Sequence, residues 1–156
     1  MAWITPTLAD CQQRIAGAEW TAVSSAAKQV GQDAEAMAQD VIATQVGRIR
    51  GRVAARSENI LGAAGTIPDE LTGVFFALWV YDFFTRLPGM KRLLDDLRVN
   101  AWESAEKELE AVANGKIRIV PPITPGAPDE QVSPATIAVV SNGGRRVTRK
   151  SVSGLF

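Results

Sequence analysis

Arg48, Arg52 and Arg56 fall four residues apart within one long helical pattern, so they share a face on which guanidinium groups could meet phosphates. A second basic group, Arg145, Arg146, Arg149 and Lys150, stands in residues 143–156, which carry no acid, whereas residues 1–114 hold fifteen acids and eleven bases. The chain as a whole is neutral, and its excess positive charge sits in a tail rather than on a domain. Acid–base and metal chemistry has little to work with. There is no histidine, which removes the commonest general base and metal ligand, and the single cysteine, Cys11, cannot form an internal disulfide. A nucleophile at Cys11, Ser24 or Ser25 would need a base that the chain does not offer. The acids Glu103, Glu106, Glu108 and Glu110, with Lys107, read as the solvated outer face of a helix rather than as a metal site. No catalytic, cofactor-binding or metal-ligating residue is therefore expected.

The arginine stripe has two readings. One is a solvated face pairing with acids on neighbouring helices or subunits; the other is the lining of a passage for nucleic acid. No aromatic residues interleave with the arginines and no helix-turn-helix pattern is present, which argues against sequence-specific reading of DNA.

The element that must position these residues is an aromatic run from Ile67 to Pro88. Leu71, Val74, Phe75, Leu78, Trp79, Phe83 and Leu87 follow helical spacing, and Phe76, Val80 and Phe84 widen the stripe almost all the way round, so other helices are expected to surround it. Thr66 is read as its cap and Pro68 as a residue of its first turn. Asp82 and Arg86 interrupt the run, which is too short for a membrane span. Four of the five Phe residues and the one Tyr are spent here, so the rest of the chain is expected to cover this helix.

In chain order, Thr7 opens a short helix with Asp10 as the acid of a capping box, Leu8, Cys11 and Ile15 on one face, and Gly17 as its end. Trp3 and Trp20 flank this helix and should pin it to a larger neighbour. Residues 21–31 read as a loop or frayed turn, with Ser24, Ser25 and Gly31 as breakers. A long helix follows from Asp33 to about Ser57, with Ala38, Ile42, Val46, Ile49 and Val53 facing in. Gly47 and Gly51, beside that face, suggest close packing against another helix or simple tolerance. Residues 57–67 form a Gly/Ala loop. After the aromatic helix, Pro88 and Gly89 make a tight turn. The last helix runs from about Met90 to Ala113, with Leu94, Leu97, Ala101, Ala105, Leu109 and Val112 facing in, Trp102 next to that stripe, and Asn114–Gly115 ending it.

Beyond Gly115 the character changes. Residues 117–120 and 136–140 alternate as short strands, and Pro121, Pro122, Pro125, Pro128 and Pro134 keep the intervening chain extended. These forty or so residues have no core of their own, so partners are expected to hold them: Ile117, Ile119, Ile137 and Val139 by strand addition to neighbouring chains, Leu155 and Phe156 as an apolar anchor. The alternative is an arm folded back on its own bundle. The fold class expected is all-α, an antiparallel bundle of about four helices over residues 1–115 with an extended Pro-rich arm over 116–156. A length of 156 residues fits one domain, and the amino terminus has no basic or long apolar segment that would read as a secretory signal, so synthesis and use in the cytoplasm are expected.

As a series, these segments carry a resemblance. Trp-Ile-Thr-Pro-Thr-Leu-Ala-Asp leads into a short helix, a long helix ends in Arg-Ile-Arg-Gly-Arg-Val-Ala-Ala-Arg, and a loop closes on Ile-Pro-Asp-Glu-Leu. An aromatic helix and a last helix ending in Ala-Asn-Gly-Lys-Ile complete the series. Over about residues 3–120 the chain resembles the small head-to-tail adaptor (head completion, connector) proteins of tailed bacteriophages, including the group found in Mu-like prophages. The resemblance implies a structural, non-enzymatic virion protein, assembled in the host cytoplasm and standing at the head–tail interface. It further implies a homo-oligomeric ring, typically of twelve subunits, between the portal protein and a downstream tail or stopper protein, with double-stranded DNA passing through the centre. Loop 57–67 would then suit a segment that rearranges on docking, or be a plain connection. No cofactor and no membrane contact are implied. The alternative function is a DNA-packaging or regulatory DNA-binding protein that uses the Arg48–Arg56 stripe and the basic tail.

Overall fold

The computed structural model describes residues 3–122. Its elements run β1 (Trp3–Ile4), α1 (Leu8–Gln12), α2 (Gly17–Gln29), α3 (Ala34–Ala54), β2 (Ile67–Pro68), a 3-10 turn (Asp69–Leu71), α4 (Thr72–Thr85), a second 3-10 turn (Met90–Leu93) and α5 (Asp96–Ala113). Four main helices, α2 to α5, pack together. The strands β1 and β2 form a two-stranded antiparallel sheet, with Trp3 opposite Pro68 and Ile4 opposite Ile67.

The aromatic run is central, as its composition demands: α4 packs against both α3 and α5, and buries Val74, Phe75, Leu78, Trp79, Val80, Phe83 and Phe84. Phe83 is stacked between two tryptophans, with ring centroids 4.8 Å from Trp79 and 5.5 Å from Trp20, both interplanar angles being 13°. Trp20 thereby ties α2 to the central helix. The indole N–H of Trp79 donates to the Ala38 carbonyl at 3.2 Å, a buried polar link from α4 to α3. Among the described residues no helix is long and apolar enough to cross a membrane.

Local chemistry sets most helix ends. The Thr7 hydroxyl accepts from the Asp10 amide while the Asp10 carboxylate accepts from the Thr7 amide, a full capping box on α1. Asp33 accepts from the amides of Glu35 and Ala36 at the start of α3, and Asp95 from that of Arg98 at the start of α5. At the far end of α5, the Gly115 amide bonds to the Val112 carbonyl and the Lys116 amide to the Ala111 carbonyl, a Schellman closure that requires the φ of +72° Gly115 adopts. Gly89, at φ +80°, turns the chain out of α4.

Elsewhere the structure corrects the reading. Residues 21–29 are not a loop but most of α2, and Gly17 begins that helix instead of ending α1. The Glu19 carboxylate accepts from the Ala16 amide and the Thr21 hydroxyl donates to the Gly17 carbonyl; Val23 and Ala27, four apart, supply the buried contact. Thr66 does not cap the aromatic helix and Pro68 is not in its first turn. Ile67 and Pro68 are extended, held by β1, and the α-helix begins only at Thr72. Met90–Leu93 is a 3-10 turn separated from α5 by an extended Leu94. The inner face of α5 is displaced from the one expected: Leu97 and Ala101 are exposed and Arg98 turns inward, while Ala105, Leu109 and Val112 are buried and Trp102 lies beside them as read. Residues 117–120 form no strand. Ile119 is buried in the chain's own core, Ile117 packs against it, and the Trp3 indole donates to the Val120 carbonyl.

Gly47 and Gly51 do not mark close packing within the chain. Apart from the adjoining backbone of α3 itself, a methyl group at either would meet no atom within 4 Å. Alanine at each position should therefore raise stability by about 0.5–1 kcal/mol through helix propensity alone, measured as a shift in the urea midpoint. A loss of stability would disprove the open environment of this face.

Candidate functional site

The α3 arginines were the clearest candidates for chemistry, and the fold uses most of them internally. Arg48 extends Nη2 to Glu106 on α5, 2.7 Å from Oε1 and 2.8 Å from Oε2, so Glu106 belongs to the helix interface and not to the outer face expected for it. Arg56 donates through the one nitrogen Nη2 to both carboxylate oxygens of Glu58, each at 3.1 Å, and through Nη1 to the Asn114 carbonyl at 3.3 Å. Arg52 alone stays exposed without an ion pair among the described residues. It borders a cleft of about 400 Å³ together with Trp102, Glu103, Glu106, Lys107 and Glu110. Trp102 in turn stacks on Tyr81, with centroids 4.4 Å apart and planes 15° from parallel. Three carboxylates face two cations in this cleft, a balance that does not hold a phosphate backbone tightly.

Arg50, between the stripe positions, is a loop organiser. Its Nη1 donates to the carbonyls of Ala63 and Thr66 at 2.8 and 2.7 Å, and its Nη2 to that of Gly62 at 3.1 Å. The guanidinium also lies 5.8 Å from the centroid of the Trp3 ring. That ring packs so closely on Gly62 that a Cβ there would approach it to 2.6 Å.

Two arginines outside the stripe prepare a second surface. Arg98 makes a bidentate pair with Glu19 at 2.8 and 2.9 Å, donates to the Leu93 carbonyl and lies over the Phe84 ring. The hydrogen bonds from Arg98 hold the Glu19 carboxyl below its ordinary range, against the opposing effect of burial. Arg14 covers the Phe76 ring at 4.2 Å with no ion pair among the described residues. Between them runs a groove of about 260 Å³ whose apolar floor and wall are Phe76, Ala77, Val80 and Ala101. Nothing in the local sequence singles out Arg14 or Arg98, because the ring under Arg14 and the acid paired with Arg98 lie 62 and 79 positions away.

As for reactive groups, Cys11 is fully buried and burial pushes its thiol up to about 12, so it is a protonated core residue at neutral pH. Gln45 is also buried; its amide donates to Asp82, leaving Oε1 without a partner. Among the described residues no group of three acids or thiols is arranged to hold a metal ion. Of the residues expected to meet partners, Ile117 and Ile119 lie on the bundle as described, while Ile137, Val139, Leu155, Phe156, Arg145, Arg146, Arg149 and Lys150 lie outside the described residues. Comparison with protein-family models, with curated proteins and with solved structures finds no match for this chain.

Proposed function

We propose that the chain is a structural, non-enzymatic virion protein of a tailed bacteriophage, a head-to-tail adaptor. In this reading copies assemble into a ring, typically of twelve, between the portal protein and a downstream tail or stopper protein, and double-stranded DNA passes through the centre. The observation that carries the proposal is the order of segments from Trp3 to Ile117, from the short capped helix through the aromatic helix to the one ending at Asn114–Gly115. The finer architecture proposed is an antiparallel bundle as the body of the ring. The arm beyond it would reach neighbouring copies, the portal or the tail through Ile137, Val139, Leu155 and Phe156.

The internal use of Arg48 and Arg56 is consistent with this role. A passage that must let DNA slide is better served by arginines already neutralised on the protein than by a free cationic stripe.

The test is the solution mass of the full-length chain and of a version ending at Pro122, each with and without purified portal. Ending at Pro122 keeps Ile117, Ile119 and Val120 in place, so a defect would belong to the arm and not to a damaged core. A ring on the portal that forms with the full chain and fails with the shorter one is the expected result. If neither version engages portal, but both shift on adding duplex DNA in a salt-sensitive way, the adaptor reading falls and a DNA-binding role replaces it.

A further inference from the structure

Ile60 and Leu61, neighbours in the loop after α3, are 64% and 38% exposed. Loose loops often show apolar side chains transiently, but this loop is not loose. The three carbonyl bonds from Arg50, the Asn59 side-chain amide on the Val53 carbonyl and the Thr66 hydroxyl on the Ala63 carbonyl fix it on both sides of the pair. Two branched aliphatic side chains are thus held out in water by a pre-organised backbone, which is how a docking residue avoids the entropy of ordering on binding.

The groove between α4 and α5 is the matching concavity. Its floor and wall are apolar, and Leu97, which precedes the lining residue Ala101 by one turn of α5, has 78% of its surface exposed. The charges match as well. The groove is bordered by Arg14, which has no ion pair among the described residues, and the loop carries Glu58 two residues before Ile60, its side chain 76% exposed even while paired with Arg56. An apolar projection flanked by an acid and an apolar groove flanked by a base occur on the same polypeptide.

We infer that the Glu58–Leu61 loop of one copy docks in the α4–α5 groove of the next, with Ile60 and Leu61 against Phe76, Val80, Leu97 and Ala101 and with Glu58 facing Arg14. The occupant of the groove is a second copy of this chain. The contact joins two different surfaces, so it repeats head to tail and either closes as a ring or continues as a filament. This rests on the self-assembly proposed above and supplies its interface. A single loop in a groove buries less than the roughly 1,200 Å² of stable pairwise interfaces, so two copies associate weakly and the contact gains strength only by repetition.

Crosslinking suits a weak contact. Full-length chains carrying Ile60→Cys and Ala101→Cys separately are mixed under mild oxidant; Cys11 stays buried and unreactive in both. The expected result is a disulfide-linked pair of the two variants, in several-fold excess over a control mixture of Val30→Cys with Ala101→Cys. Adding Glu58→Arg to the first partner or Arg14→Glu to the second should reduce the yield, and adding both should restore it. A yield no greater than the control, or a charge swap that does not rescue, overturns the contact. Light scattering on the same samples separates this from the broader reading: a closed oligomer without the crosslink leaves the ring standing on another interface. If the chain stays monomeric with and without portal and no crosslink forms, both fall.

Discussion

Replacing Trp79 with alanine is expected to cost about 3–5 kcal/mol, a large share of the about 5–15 kcal/mol that small domains hold in all. Trp79 is fully buried on α4, stacks on Phe83 and donates its indole N–H to Ala38 on α3. Alanine removes the ring, opens a cavity under Phe83, and deletes the one polar link between the two helices that a side chain of α4 makes to the α3 backbone. Most of the loss comes from the cavity and the lost apolar burial, with about 1 kcal/mol from the hydrogen bond. Trp79→Phe separates the two contributions. It retains most of the stacking but not the N–H, so it should fall well short of the alanine loss. Urea unfolding followed by far-ultraviolet circular dichroism measures both. An alanine variant within about 1 kcal/mol of the parent would mean that the aromatic stack is not the centre of this fold.

That centre was legible from the sequence because an almost wholly apolar helical run has only one place to go. The starts of α1 and α3 and the end of α5 were legible for a different reason. Thr7 with Asp10, Asp33 at the start of α3, and Asn114–Gly115 all act on amides or carbonyls within a few residues of themselves, so the cause and its effect lie in one window. The errors have the opposite character. Pro68 is compatible with both a first helical turn and a strand, and what decides is β1, more than sixty positions earlier. The face of α5 was misjudged because Leu97 looks more buriable than Arg98, until Glu19 on α2 and the ring of Phe84 give the arginine a reason to turn inward. Residues 21–29 show only Val23 and Ala27 as buried positions, too sparse a stripe to outweigh the Ser24–Ser25 pair.

The candidate site follows the same division. Which residues were cationic was plain, and so was the option that the α3 stripe pairs with acids on a neighbouring helix, as Arg48 does with Glu106. That Arg50 instead holds three carbonyls of one loop required knowing where the loop runs. Local patterning identifies the cations and tertiary placement decides which of them remain available to a partner.

Arg50 and Arg52 offer a direct test of that distinction, since the two residues are the same type, two positions apart on one helix. Arg50→Ala should cost about 2–3 kcal/mol, the scale of losing charge-assisted bonds to carbonyls that are then partly buried and unpaired. The damage should spread along a defined route. Without the guanidinium, the segment from Gly62 to Thr66 loses three anchors; the Trp3 ring seated on Gly62 loses its cation partner, and the Val120 carbonyl depends on that ring for its donor. Amide exchange should therefore accelerate in residues 60–68, at β1 and at 118–120, while α4 keeps its protection. Arg50→Lys should recover only part of the loss, because one ammonium cannot reproduce a planar fork aimed at three acceptors. Arg52→Ala, which removes an exposed side chain with no ion pair among the described residues, should stay within about 0.5 kcal/mol of the parent. Equal effects from the two alanine variants, or unchanged exchange in 60–68 in Arg50→Ala, would show that Arg50 does not organise the loop. The rigid presentation of Ile60 and Leu61, on which docking to a second copy depends, would then have no cause.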